Sequence, residues 1–217
     1  DIPLVFYGEN SEVEYGGDMS AAFIPTRDWK KKNTNILMSG VPPESFIKYG
    51  ISENDMKPYF PPSNDKLEKM GLEIHYMGHY TKWIPQECYY YSVEHTGFKA
   101  NPVRSEGTYS KYASLDDQLD GFHYFLMFIK FGIGRATSDA AHEVRDGHIL
   151  RDEAAALVGK YDGEFPEKYF KVFLDYCGIT EEYFWDVVDS WRPDHVWKKV
   201  NGEWKLKHKV NGSGIDD

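Results

Sequence analysis

From Ser114 to Trp191 the sequence is written largely in helical period, and glycines mark where helices stop. Leu115, Leu119, Phe122, Leu126 and Ile129 recur at helical spacing, which predicts one apolar stripe that must be buried. Asp116, Asp120, His123 and Lys130 form a polar stripe beside it. Ser114 is placed to cap this helix with Asp117 as its reciprocal partner, and Gly132 ends it. Further helices are expected over roughly Ser138–Val144, from Arg151 through Ala154–Ala156 to Lys160, after Pro166 up to Gly178, and after Thr180 to a stop before Pro193. Ile179 and Phe184 occupy hydrophobic-staple positions around the last of these. VNGEW then signals a hairpin.

The N-terminal half reads differently. Pro3–Tyr7 is expected as a short buried strand, with Gly8-Glu9-Asn10 turning at its C-terminal end, where open α/β sheets bind ligands. Residues 11–35 read as loop. Residues 42–70 read as short helical pieces broken by Pro42-Pro43, Pro58 and Pro61-Pro62, an insertion rather than core. Leu72–Tyr80 has the aromatic and β-branched character of a second strand, and a helix is expected from Pro85 to Gly97. The loop FKANPVRSEGTYSKYA leads on to Ser114. The expected class is α/β: part of a parallel sheet over residues 1–112, with a helical insertion near 28–70, then a helical region over 113–217.

The net charge of −10 argues against a general nucleic-acid binder, and Lys30–Lys32 is too short a run to reverse that. Cys88 and Cys177 form no CxxC pair and no disulfide framework, so reduced thiols in a cytoplasmic protein are the expectation. No apolar run reaches the length of a membrane span; FHYFLMFIKFGIG is short and interrupted by His123 and Lys130. The sequence opens on DIPLVFYGEN without Met, which suggests that further residues precede Asp1.

KFGIGRATSDAAHEVRDG, residues 130–147, is the densest polar stretch. Gly132 and Gly134 lie between Lys130 and Arg135 at the start of a helix, with Thr137 in its first turn. Such glycines allow backbone amides to approach a phosphate or pyrophosphate. They serve a plain helix–loop–helix corner equally well. Asp139, His142, Glu143 and Asp146 share one helix face, suited to orienting a sugar, holding a cation or moving a proton, or else to salt bridges with Arg145 and Arg151 on a solvated face. Glu9, Glu12 and Glu14 in YGENSEVEYGG follow a strand end and could hold Mg²⁺, or form an acidic turn. His75 and His79 share a strand face, but zinc needs more ligands than they and the ill-spaced Cys88 and His95 offer.

YGENSEVEYGG, NPVRSEGTYSKYASLDDQLDGFHYF, KFGIGRATSDAAHEVRDGHILRDEA and KYDGEFP together resemble the N-acetyl sugar amidotransferases. These are members of the PP-loop ATPase (adenine nucleotide alpha hydrolase-like) superfamily and serve surface-polysaccharide biosynthesis, lipopolysaccharide O-antigen included. The resemblance covers nearly the whole chain. It implies the C-terminal part of a PP-loop parallel sheet followed by a helical substrate-side region. It also implies a reaction: ATP adenylylates the oxygen of a sugar acetamido group, and ammonia from a separate glutaminase partner displaces AMP to give an acetamidino group. On that reading Glu9, Glu12 and Glu14 suit Mg²⁺. Lys130, Gly132, Gly134, Arg135, Thr137 and Arg145 suit pyrophosphate or the diphosphate of a nucleotide-linked sugar. Asp139, His142 and Glu143 suit the acetamido sugar or proton transfer. The superfamily's SGGxDS loop and the family's cysteine-rich, zinc-binding N-terminal segment are absent from these residues and would lie upstream of Asp1. Two other classes fit less of the pattern: a non-catalytic sugar-binding or glutaminase-docking module, and a metal-dependent hydrolase.

Overall fold

A computed structural model describes residues 2–8, 10, 20, 22–29, 41–60 and 62–212. The chain divides into two compact units, Asp1–Trp83 and Ile84–Asp217. The protein is mixed α/β. Among the described residues the sheets are small, one parallel pair and one hairpin.

In the first unit, β1 (Leu4–Tyr7) pairs in parallel with β2 (Glu73–Tyr76), Leu4 opposite Glu73 and Tyr7 opposite Tyr76. Thr26 bridges His75 on the other side of β2, and the Trp29 indole donates to Leu72 O at 2.9 Å. The strand at 3–7 is therefore real, but Leu4, Phe6 and Tyr7 are exposed rather than buried. The expected second strand stops at Tyr76 because Met77–His79 turn into a 3₁₀ helix. Between the strands, a 3₁₀ helix at Pro43–Tyr49 precedes α1 (Glu53–Met56), a turn at Lys57–Tyr59 and α2 (Asn64–Met70). Ser52 and Ser63 accept the capping amides of α1 and α2, and the prolines explain why no piece grows long.

The second unit holds α3 (Pro85–Thr96), α4 (Asp120–Phe131), α5 (Arg135–Asp146), α6 (Arg151–Tyr161), α7 (Phe170–Cys177), α8 (Glu181–Ser190) and the hairpin β3 (Trp197–Val200)–β4 (Glu203–Leu206). Asn201 and Gly202 both take positive φ, the backbone that a tight two-residue hairpin turn requires. Phe122, Phe125 and Ile129 of α4 are buried against Phe184 and Val188 of α8 and Trp197 of β3. Each large side chain so buried contributes about 1.5–3 kcal/mol of transfer free energy. The Trp197 indole donates to Ile129 O at 2.6 Å, so the polar tip of this ring is satisfied inside the core. Thr180 caps α8 by accepting the Tyr183 amide, and Ile179 and Phe184 pack in the same core as the staple predicts.

The start of α4 differs from the expectation. Ser114 is no helix cap: it has φ 53, its hydroxyl donates to Asp120, and α4 begins only at Asp120. Asp117 instead accepts the Leu119 amide at 2.6 Å in a local turn that competes with helix, leaving Leu115 exposed. The two compact units divide after Trp83, and the expected boundary near residue 112 lies within the second of them. Tyr112 stacks on Tyr89 of α3 at 4.4 Å and donates to Gln86, which ties α3 and the following loop to the helical unit.

Among the described residues no helix is long and apolar enough to cross a membrane. Cys88 and Cys177 are both free thiols.

Candidate functional site: a polar cluster on α5

Helices α5 and α6 pack through small residues. Ala136 and Ala140 are buried, and Ala140 meets Ala154 and Val158. Side chains this small bring the helix axes close and leave the polar face of α5 to the loop 101–113. Thr108 of that loop, completely buried, donates its hydroxyl to Asp139 Oδ2 at 2.6 Å. The other Asp139 oxygen accepts from Arg135 Nε at 3.0 Å. One turn further on, Tyr109 donates its hydroxyl to Glu143 Oε1 at 3.1 Å. Arg135 also lies over the Tyr124 ring of α4, 4.6 Å from its centroid.

The electrostatics follow from this geometry. Burial, with Glu143 and then Asp139 adding to it, pushes the Tyr109 phenol well above the ordinary tyrosine value. Burial pushes Tyr112 up to about 12, with Asp139 and Glu143 contributing. Burial raises Tyr124 too, although Arg135 opposes it. For Arg135, burial would weaken the cation, but Asp139 and Tyr124 outweigh it and the guanidinium is held charged.

The loop is anchored a second time by Arg104. Its guanidinium meets both oxygens of Glu164 at 2.6 Å and stacks over Tyr161, 4.7 Å from the ring centroid. Glu164 also accepts the Gly107 amide at 2.7 Å. The Arg104 hydrogen bond is the largest reason the Glu164 carboxyl sits below its ordinary value; burial opposes it. Gly107 O in turn accepts the Ala136 amide at 3.1 Å, from the first turn of α5.

The expected phosphate cradle is filled from within the chain. Asp162, just past α6, accepts the Gly134 amide at 2.9 Å, the Thr137 amide at 3.1 Å and the Thr137 hydroxyl at 2.5 Å. A helix N-terminus favours an anion, and here the anion is a side chain. A Cβ on Gly134 would lie 2.8 Å from Asp162 Oδ1, so this glycine admits the carboxylate. Gly132 ends α4 in the left-handed region, and a Cβ there would meet Val196 at 2.9 Å and Leu206 at 3.2 Å.

Of the residues expected at the site, the structure thus brings together Arg135, Asp139 and Glu143, with His142 half-buried on the same helix. Gly134 and Thr137 serve the helix cap, and Gly132 the packing of the hairpin. Lys130 is exposed and sits over the Trp191 indole at 5.1 Å, and Arg145 is exposed near the end of α5. Glu9, Glu12 and Glu14 lie outside the described residues. Among the described residues no three His, Cys, Asp or Glu side chains converge as a metal shell, His75 and His79 included. Sequence reasoning missed Arg104, Thr108, Tyr109, Asp162 and Glu164. Their signal was a polar, glycine-centred loop, RSEGTY, and the turn YDGEF, each far in sequence from the helix it serves.

The second unit is a mainly helical domain closed by a C-terminal hairpin. Residues 106–211 match the family described as LPS biosynthesis protein WbpG-like, C-terminal domain, so this part of the chain is similar to that family. The match contains α4–α8, the hairpin, Thr108, Tyr109 and every polar partner named on α5. No curated protein matches the chain.

Proposed function

We propose that the chain acts in ATP-dependent amidotransfer, converting the acetamido group of an N-acetylated, nucleotide-linked sugar to acetamidino, and that the α5 cluster is its sugar side. The observation that carries this reading is the meeting of two distant stretches of the resemblance. Thr108 reaches Asp139 and Tyr109 reaches Glu143 across 31 and 34 residues, in one partly buried polar surface. Carboxylates, phenols and one fixed guanidinium suit a ligand rich in hydroxyl and amide groups. Arg135 would polarise the acetamido oxygen, Glu143 and Tyr109 would hold ring hydroxyls, and His142 would move the proton released as ammonia attacks.

ATP supplies the adenylyl group in this reaction and Mg²⁺ offsets phosphate charge. The described carboxylates do not form a shell for that ion, and SGGxDS does not occur in the sequence, so the described residues are assigned to the sugar alone. Ammonia would come from a glutaminase partner, in the cytoplasm where nucleotide-linked sugars are used.

The test is made in the complete protein, with ATP, Mg²⁺, ammonium and a panel of nucleotide-linked N-acetylated sugars. Mass spectrometry reads replacement of the amide oxygen by NH. Glu143→Gln and His142→Ala should lower turnover at least about tenfold, the scale of a lost acid–base or positioning group. Unchanged turnover in both would remove the α5 cluster from the site.

A second reading is favoured by one feature: Asp139 and Glu143 are both engaged in holding the loop 104–113. A sugar-binding or glutaminase-docking module would keep such a surface for contact alone. Sugar or glutaminase binding that Glu143→Gln abolishes, with no turnover under any condition, would establish it.

A further inference from the structure

The first unit carries a polar chain that the amidotransfer reading does not use. Glu73 and His75 lie on the same face of β2, and Tyr80 follows in the turn beyond it. Glu73 Oε2 is 3.2 Å from His75 Nε2, and His75 Nδ1 is 2.5 Å from the Tyr80 hydroxyl. A carboxylate only accepts, so Nε2 carries the imidazole proton. That leaves Nδ1 as an acceptor, and the Tyr80 hydroxyl donates to it. Phe6, opposite His75 on β1, packs against both rings, 5.7 Å from the imidazole and 5.6 Å from the phenol, edge-on to the latter.

Placement adds to the chemistry. Both strands of the parallel pair end at Tyr7 and Tyr76, and Tyr80 stands just past that end, where α/β sheets receive ligands. The His75 side chain is only 16% exposed, while Tyr80 is 55% exposed. The groups that face the imidazole are Glu73 and Tyr80 from its own strand and turn, and uncharged Phe6 from β1. Thr26 meets His75 as a strand-type bridge, and the Arg27 guanidinium lies over Tyr7.

We propose that Glu73, His75 and Tyr80 form a proton relay, an acid–base site whose Tyr80 hydroxyl serves a ligand bearing a dissociable N–H or O–H group. The ligand's proton passes to the Tyr80 oxygen as the Tyr80 proton passes to His75 Nδ1. The N–H or O–H bond breaks with its electron pair left on the ligand. The imidazole becomes imidazolium, and its Nε2–H donates to the Glu73 carboxylate. Run backwards, the relay returns the proton. The site is independent of the α5 cluster and of the amidotransfer reading.

The probe is an arylsulfonyl fluoride, applied to the whole protein near neutral pH with modified tyrosines located by peptide mass spectrometry. The Tyr80 oxygen forms a bond to sulfur, the S–F bond breaks, fluoride leaves and His75 takes the proton. Tyr49 and Tyr176 are 73% and 77% exposed, so exposure alone ranks them ahead of Tyr80. The relay predicts the reverse, with Tyr80 modified several-fold faster than either, and with His75→Gln and the surface change Glu73→Gln each slowing it. Tyr80 reacting no faster than Tyr49 and Tyr176 in the unmutated protein overturns the proposal. Fast labelling that both variants leave unchanged also overturns it. Imidazole ¹⁵N shifts provide a check that needs no variant: a proton on Nδ1 of His75, rather than Nε2, overturns the relay.

Discussion

Asp162, one residue past the end of α6, binds Thr137, in the first turn of α5, at both its amide and its hydroxyl. The end of one helix thereby caps the start of its neighbour. This single carboxylate takes the Gly134 and Thr137 amides and the Thr137 hydroxyl at the α5 N-terminus.

Removing it should be felt as a lost cap. Asp162→Ala is expected to lower stability by about 1–2 kcal/mol, the range for helix N-caps. Asp162→Asn should cost less, since an amide oxygen still accepts. Chemical denaturation of both variants reads the difference, and equal costs would mean that the hydrogen bonds at this site are not what matters.

Gly163, next to it, separates packing from propensity. It has φ +80, and a Cβ there would lie 2.3 Å from Phe128 Cε1. Gly163→Ala is expected to destabilise by about 2–4 kcal/mol, from left-handed strain and overpacking together. Gly159, inside α6, has nothing within 4 Å of its would-be Cβ. Gly159→Ala should gain up to about 1 kcal/mol of helix propensity. Thermal melts of the pair should move in opposite directions.

The Arg104–Glu164 pair makes an acid-side prediction. The Glu164 pKa is lowered on folding, so its contribution is complete above the ordinary glutamate range and is lost as the pH falls through the depressed folded value. Both side chains are about a third exposed, so the pair is partly screened and is worth about 1 kcal/mol. Glu164→Gln should flatten the acid limb of the stability curve, and the 104–113 loop should gain amide exchange.

Tyr112 makes the alkaline prediction. Burial raises its pKa from 10.0 to about 12, so the unfolded chain ionises first. Stability should therefore fall as the pH climbs through that interval. Tyr112→Phe should remove part of the fall while losing the bond to Gln86, about 1 kcal/mol near neutral pH. An unchanged alkaline limb would show that the phenol is solvated in the folded state.

The sequence made the helical half readable because that half is locally consistent. Gly97, Gly132, Gly147 and Gly178 all end helices in the left-handed region, and Asn201-Gly202 makes the hairpin turn. Ser114 misled because a serine followed by acids has the composition of a cap, while the actual contact of its hydroxyl is Asp120, which no local pattern specifies. The α5 face was legible as a face, but not its partners. Thr108, Tyr109 and Asp162 lie 25–34 residues from the residues they bind, and only packing brings them there. The same limit applied to the glycines at 132 and 134. Pattern alone could not tell a ligand's anion from the chain's own carboxylate.

The indole of Trp197 completes the core around α4, and Val196 and Leu206 lie over Gly132. The hairpin is therefore part of the helical unit's core rather than an appendage to it. Part of its central apolar face is covered only once β3 and β4 are in place, so a chain stopped after α8 should bind dyes for exposed apolar surface and be cleared by proteases, however well each helix is formed.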